Sequence, residues 1–133
     1  MATIRVKIVG QALNGFVEKL MISLSLQVLA NLTASPARGG TPVDTGWARA
    51  NWVPSITTPA KGTVGSRDAV SRSGQSTGKA SLISYRLTSG PIHITNNVPY
   101  IGRLNDGSSK QAPRAFVQAG IARAIQKVAG GGK

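Results

Sequence analysis

The stretch that decides the fold runs from Thr95 to Ala124: Thr-Asn-Asn-Val-Pro-Tyr-Ile-Gly-Arg-Leu-Asn-Asp-Gly-Ser-Ser-Lys-Gln-Ala-Pro-Arg-Ala-Phe-Val-Gln-Ala-Gly-Ile-Ala-Arg-Ala. It leaves a strand-like run, turns at Asn105-Asp106-Gly107, and restarts as an apolar-periodic helix behind Pro113. Asp-Gly supplies the positive φ that a tight reversal needs. Pro113 suits the first turn of a helix, where its missing N–H would have no intrahelical partner. No catalytic set stands out in this stretch. It reads as a device that fixes where a helix sits against a sheet.

Outward from it, the elements alternate in kind. Pro91–Asn97 reads as a strand with Ile92 and Ile94 inward. Beyond Pro113, Phe116, Val117, Ile121, Ile125 and Val128 form a helical stripe, and residues 129–133 read as a disordered tail. At the other end, Ile4, Val6 and Ile8 alternate with Arg5 and Lys7, which predicts a half-buried strand over 3–9 broken by Gly10. From Gln11 to Ala34, Leu13, Phe16, Leu20, Leu24, Val28 and Leu32 recur at spacings of three and four. Ile22, Leu26 and Leu29 widen that stripe beyond one buried face. Such a helix is either covered on two sides by its own domain or meets a neighbouring subunit.

Ser35-Pro36-Ala37-Arg38-Gly39-Gly40 closes the helix. In the following Thr41–Trp52 stretch, Asp44 or Thr45 can cap a short helix on which Ala48 and Trp52 share a face. Val53-Pro54 ends it, and Ser55–Thr57 is extended. Residues 58–79 are rich in Gly, Ser and Thr and carry Lys61, Arg67, Arg72 and Lys79 against a single Asp68. They read as a long basic loop, either solvated or an arm that orders on a partner. Over 80–87 the periodicity fits helix and strand equally.

The chain of 133 residues is long enough for one domain with a real core. Sixteen basic against four acidic residues give a net charge of +12. Such a surplus favours an anionic partner: nucleic acid, an acidic protein surface or anionic lipid. The absence of cysteine excludes disulfides and thiolate metal sites. One histidine and four scattered acids leave little for a metal site, and no cofactor is expected. The first residues lack the order of a secretory signal. No uncharged apolar run is expected to reach the roughly 18 residues of a membrane span.

Three local patterns imitate catalytic motifs. Asp44-Thr45-Gly46 is the aspartic-protease triad, and Tyr100-Ile101-Gly102-Arg103 faintly matches a later motif of the retroviral type. Those enzymes place the aspartate at the end of an apolar strand, whereas Thr41-Pro42 precedes it here, which favours the capping role. Gly74–Lys79 imitates a phosphate loop but has one residue too few between its glycines and no strand leading in. His93 lies opposite the isoleucines of its strand and has no second ligand nearby. The sequon at Asn31 falls inside the predicted long helix. Two each of Trp, Tyr and Phe are spread over different elements, so base-stacking recognition is poorly supported. Non-specific phosphate contact remains an alternative from a different class.

Two stretches together resemble a known family. Thr41-Pro42-Val43-Asp44-Thr45-Gly46 with Arg49 and Trp52, and then Ile94–Tyr100 with Leu104–Pro113, resemble paired signatures of tailed-bacteriophage neck and tail-completion proteins, the group that includes the minor tail protein Z type. The resemblance implies a non-enzymatic α+β subunit. A long N-terminal helix and a C-terminal helix pack on a small, mainly antiparallel sheet, in one domain over 1–133. Such subunits form a hexamer or other closed ring at the head–tail junction of the virion and are made in the host cytoplasm. The implied partners are further copies, the head-closure or connector proteins, and tail-terminator or tail-tube proteins. Phage DNA passes through, and no membrane is involved. Asp44, Gly46, Arg49 and Trp52 match the first signature; Tyr100, Gly107 and Pro113 match the second. Asn105-Asp106 stands where many relatives carry Leu-Glu-x-Gly, which displaces the acidic residue. A tail terminator capping the tail tube is the alternative within the same class.

Overall fold

The computed structural model describes residues 2–43, 46–63 and 73–130. Its order is a long helix α1 (Ala2–Thr33), a short helix α2 (Trp47–Ala50), strand β1 (Val53–Ile56), helix α3 (Ser73–Ile83), strand β2 (Ile92–Thr95), a short helix α4 (Ile101–Asn105) and helix α5 (Phe116–Ala129). The class is α+β, with long helices at both ends and a two-stranded antiparallel sheet.

α1 extends further than the residue pattern predicts. Residues 3–9 are helical and continue without a break through Gly10. Alternating Ile4, Val6 and Ile8 suit a strand only if another strand pairs with them, because a lone strand leaves its N–H and C=O groups unmet. A helix meets those groups internally, and one Gly inside it costs only about 1 kcal/mol. Helix therefore wins.

The exit from α1 is closed by side-chain and backbone bonds. Pro36–Arg38 forms a 3-10 turn, and Gly39 reverses the chain at φ 88°. A Cβ on Gly40 would collide with the Ala34 carbonyl oxygen, so only glycine lets the two segments approach. The chain then returns so that the Thr41 N–H and hydroxyl both donate to the Leu32 carbonyl, at 3.0 and 2.6 Å. That carbonyl lies in the last turn of α1, where the helix itself supplies no donor. Trp52 Nε1 in turn donates to Thr41 Oγ1 at 2.7 Å.

β1 and β2 pair antiparallel in the register Val53↔Thr95, Pro54↔Ile94, Ser55↔His93 and Ile56↔Ile92. Both strands are edges, which is why a proline is tolerated in β1. All four β2 residues are half-buried, so Ile92 and Ile94 are only partly inward. The main cover of β1 is α3, packed so closely that a Cβ on Gly78 would strike the Pro54 carbonyl oxygen. The sequence assigns residues 58–79 to a loop; residues 73–79 are helical instead, because α3 is held by packing rather than by its residue preferences.

The core gathers Val28, Leu29 and Leu32 of α1, Trp52, Leu82 of α3 and Ala124 of α5. α5 runs back along α1. Asn31 Nδ2 donates to the Gly120 carbonyl at 2.9 Å, and a Cβ at Gly120 would lie 3.3 Å from Leu32 Cδ2. At the other end Lys127 and Val128 border the same groove as Ser23 and Gln27. Ala12–Thr33 is long and apolar enough to cross a membrane by length and composition, although it is not the uncharged run considered above, since Glu18 and Lys19 lie within it. In the fold, however, its last turns hold the core, and Glu18 accepts the Leu87 N–H at 2.9 Å.

Candidate assembly surface

The two signature stretches meet in space. Val43 N–H donates to Gln111 Oε1 and Gln111 Nε2 donates to the Val43 carbonyl, both at 2.8 Å, a reciprocal clamp. Asn96 Nδ2 donates to the Ala48 carbonyl at 2.8 Å. The Trp47 and Tyr100 rings lie 6.0 Å apart, inclined by 58°, within the range of favourable aromatic pairs. Between the stretches is a small cavity of about 70 Å³, bordered by Pro42, Gly46, Trp47, Tyr100 and Gln111.

Most of the anticipated residues serve as scaffold. Gly46 takes φ 85° at the N-cap of α2, a left-handed conformation suited to glycine. Arg49 and Trp52 are buried, at 8% and 6% exposure, so neither offers a surface to a partner. Tyr100 precedes α4 and is half-buried. Gly107, at φ 95°, reverses the chain after α4 as the Asp-Gly pair predicts. Pro113 is exposed and lies before α5 rather than in its first turn. Asp44, the expected cap of α2 together with Thr45, lies outside the described residues.

The entry into α5 is organised by a residue that sequence reading passed over. Ala115 holds the N-cap position in the left-handed region, with φ 65°, and has no capping side chain. Asn105 supplies the cap from outside the helix. Its Oδ1 accepts the Val117 N–H at 3.0 Å, its Nδ2 donates to Gln118 Oε1 at 2.9 Å, and its carbonyl accepts the Ala115 N–H at 2.6 Å. The signal was the Asn before Asp-Gly, read only as part of the turn.

The basic segment 58–79 is not all loop, since residues 73–79 belong to α3. Lys61 is exposed and Lys79 is exposed on α3; Arg67 and Arg72 lie outside the described residues. Asn97 Nδ2 holds the Ala60 and Gly62 carbonyls at 2.9 and 3.1 Å, tying the start of the segment to the second signature. Gly74–Lys79, the imitation of a phosphate loop, is α-helical. His93 is half-buried, with Nε2 3.3 Å from the Thr57 carbonyl. Among the described residues no three His, Cys, Asp or Glu side chains converge on a possible metal position.

What the surface does offer is apolar area. Leu13, Phe16 and Leu20 on α1 are 58%, 64% and 41% exposed. They continue the line of Leu24, Val28 and Leu32, which the rest of the fold covers. α1 has 32 residues and α5 has 14, so α5 lies along only part of it. Ile121 and Ile125 form a second exposed pair on α5, and Ile83 ends α3 uncovered. Compared with family models, curated proteins and solved structures, the chain matches none.

Proposed function

We propose that this chain is a structural virion protein of a long-tailed phage, a neck or tail-completion subunit without enzymatic activity. It assembles with copies of itself into a closed ring at the head–tail junction and joins the capsid connector to the tail. One observation carries the reading. The two stretches that resemble the family signatures, distant in sequence, are clamped to each other through Val43–Gln111, Asn96–Ala48 and Trp47–Tyr100. Their contact makes them one structural unit, which supports reading the two resemblances together.

A ring needs two different patches per subunit that meet head to tail and close by rotation. Ile121 and Ile125 on α5 and Ile83 on α3 are exposed apolar groups on separate elements, as such patches require. DNA must pass through the ring, and a lumen that gripped phosphate would impede it. Most of the net charge of +12 is therefore assigned to acidic neighbouring proteins. Tight duplex binding by the isolated ring, falling steeply with salt, would contradict that assignment.

The deciding experiment is removal of the gene from the phage that carries it, with the particles viewed by electron microscopy. The expected result is filled heads and tails that accumulate unjoined, restored by supplying the chain in trans. Normal infectious particles without it would end the proposal.

A further inference from the structure

We infer that the uncovered row on α1 is a docking site for an acidic amphipathic helix belonging to a different protein. The groove there has a volume of about 460 Å³ and is bordered by Phe16, Lys19, Leu20, Gln27, Lys127 and Val128. Its shape follows from the packing already described. α5 fills the line of Leu24, Val28 and Leu32 and stops at Ala129, and the same line runs on through Leu20, Phe16 and Leu13. A second helix laid beyond the end of α5 would continue what α5 does, with apolar side chains entering between residues three and four apart.

Charge selects the occupant. Lys19 of α1 and Lys127 of α5 are both exposed and both line the groove. Glu18, the neighbouring carboxylate, is turned to other work: it accepts the Leu87 N–H at 2.9 Å and lies 3.6 Å from Arg86 Nη1. The groove therefore combines apolar side chains with two cations, and no carboxylate is among its described lining residues. A second copy is a poor match. It would bring the same lysines and another +12, and the whole chain has four acids to set against them. A helix with Leu-like residues on one face and carboxylates along both flanks satisfies apolar side chains and cations together. The site stands apart from the ring reading, because it rests on this groove alone.

The test uses the full chain and two labelled helical peptides with the same Leu face, one with Glu and one with Lys at the flanking positions, followed by fluorescence anisotropy. The Glu peptide is expected to bind at least about tenfold more tightly than the Lys peptide, a difference of about 1.4 kcal/mol. Phe16→Ser with Leu20→Ser should abolish binding. Lys19→Glu with Lys127→Glu should reverse the preference. All four positions are exposed or half-exposed at the surface, and circular dichroism checks that the variants fold. Equal binding of both peptides, or binding of neither, overturns the inference. So does self-association in sedimentation that Leu20→Ser abolishes, which would make a second copy the occupant. Binding of the chain to phosphatidylglycerol vesicles that depends on Phe16 and Leu20 overturns it in favour of a lipid surface.

Discussion

Replacing Thr41 with Val tests whether the first signature stretch is structural. Thr41 is fully buried, and its hydroxyl accepts from Trp52 Nε1 at 2.7 Å while donating to the Leu32 carbonyl at 2.6 Å. Valine keeps the shape and the backbone N–H bond to Leu32, so the carbonyl retains one donor. The indole N–H does not: it is left inside the core with no acceptor. An orphaned buried donor costs about 1–3 kcal/mol, and the lost neutral hydrogen bond to Leu32 adds about 0.5–1 kcal/mol. The expected loss is about 2–3 kcal/mol, or roughly 6–12 °C in melting temperature for a domain of this size. Urea denaturation of the wild type, Thr41→Val, Trp52→Phe and the double variant supplies the measurement. Because Phe removes the orphaned donor, the double variant should lose less than the sum of the singles, by about 1–2 kcal/mol. Strict additivity, or a Thr41→Val cost below about 0.5 kcal/mol, would refute the reasoning.

Three further outcomes follow from the same packing. Gly78→Ala forces a methyl group against the Pro54 carbonyl and should destabilise by about 1–3 kcal/mol in urea melts; a neutral or stabilising result would show that α3 is not seated on β1. Asn105→Ala removes the outside cap of α5 and should cost about 1 kcal/mol, with hydrogen exchange faster in the first turn of α5 than at Ala124. Arg86→Ala should change stability by no more than about 0.5 kcal/mol, because Arg86 is 75% exposed at its 3.6 Å contact with Glu18; a larger loss in thermal melts would contradict this.

The fold class was legible because its signals are strong and local. The stripe from Leu13 to Leu32 has helical spacing, Asp106-Gly107 has turn chemistry, and the isoleucines of Ile92–Thr95 mark a strand. What could not be read depends on contacts distant in sequence. Ile4, Val6 and Ile8 have the period of a strand, yet no residue pattern says whether a partner strand exists. Ser73-Gly74-Gln75-Ser76-Thr77-Gly78 has the composition of a loop, and only the seat that β1 offers Gly78 makes a helix there. The cap of α5 is similar. Local rules look for a capping side chain beside Phe116, whereas the structure brings Asn105 to it across the Gly107 reversal.

The described residues of the two signature stretches act as joints. Thr41 finishes α1, Gly46 starts α2, Trp52 fills the core and Gln111 locks the second stretch to the first. Each is used to hold one element against another, and the described residues of the two stretches border a cavity of about 70 Å³. These contacts fix the relative placement of α1, α2 and the segment around α4. Thr41 and Trp52 are buried joints of this kind, whereas Leu13, Phe16 and Leu20 lie exposed on α1 with the exposed Lys19 beside them, so the residues that fix the fold and the residues that meet its surroundings are different sets.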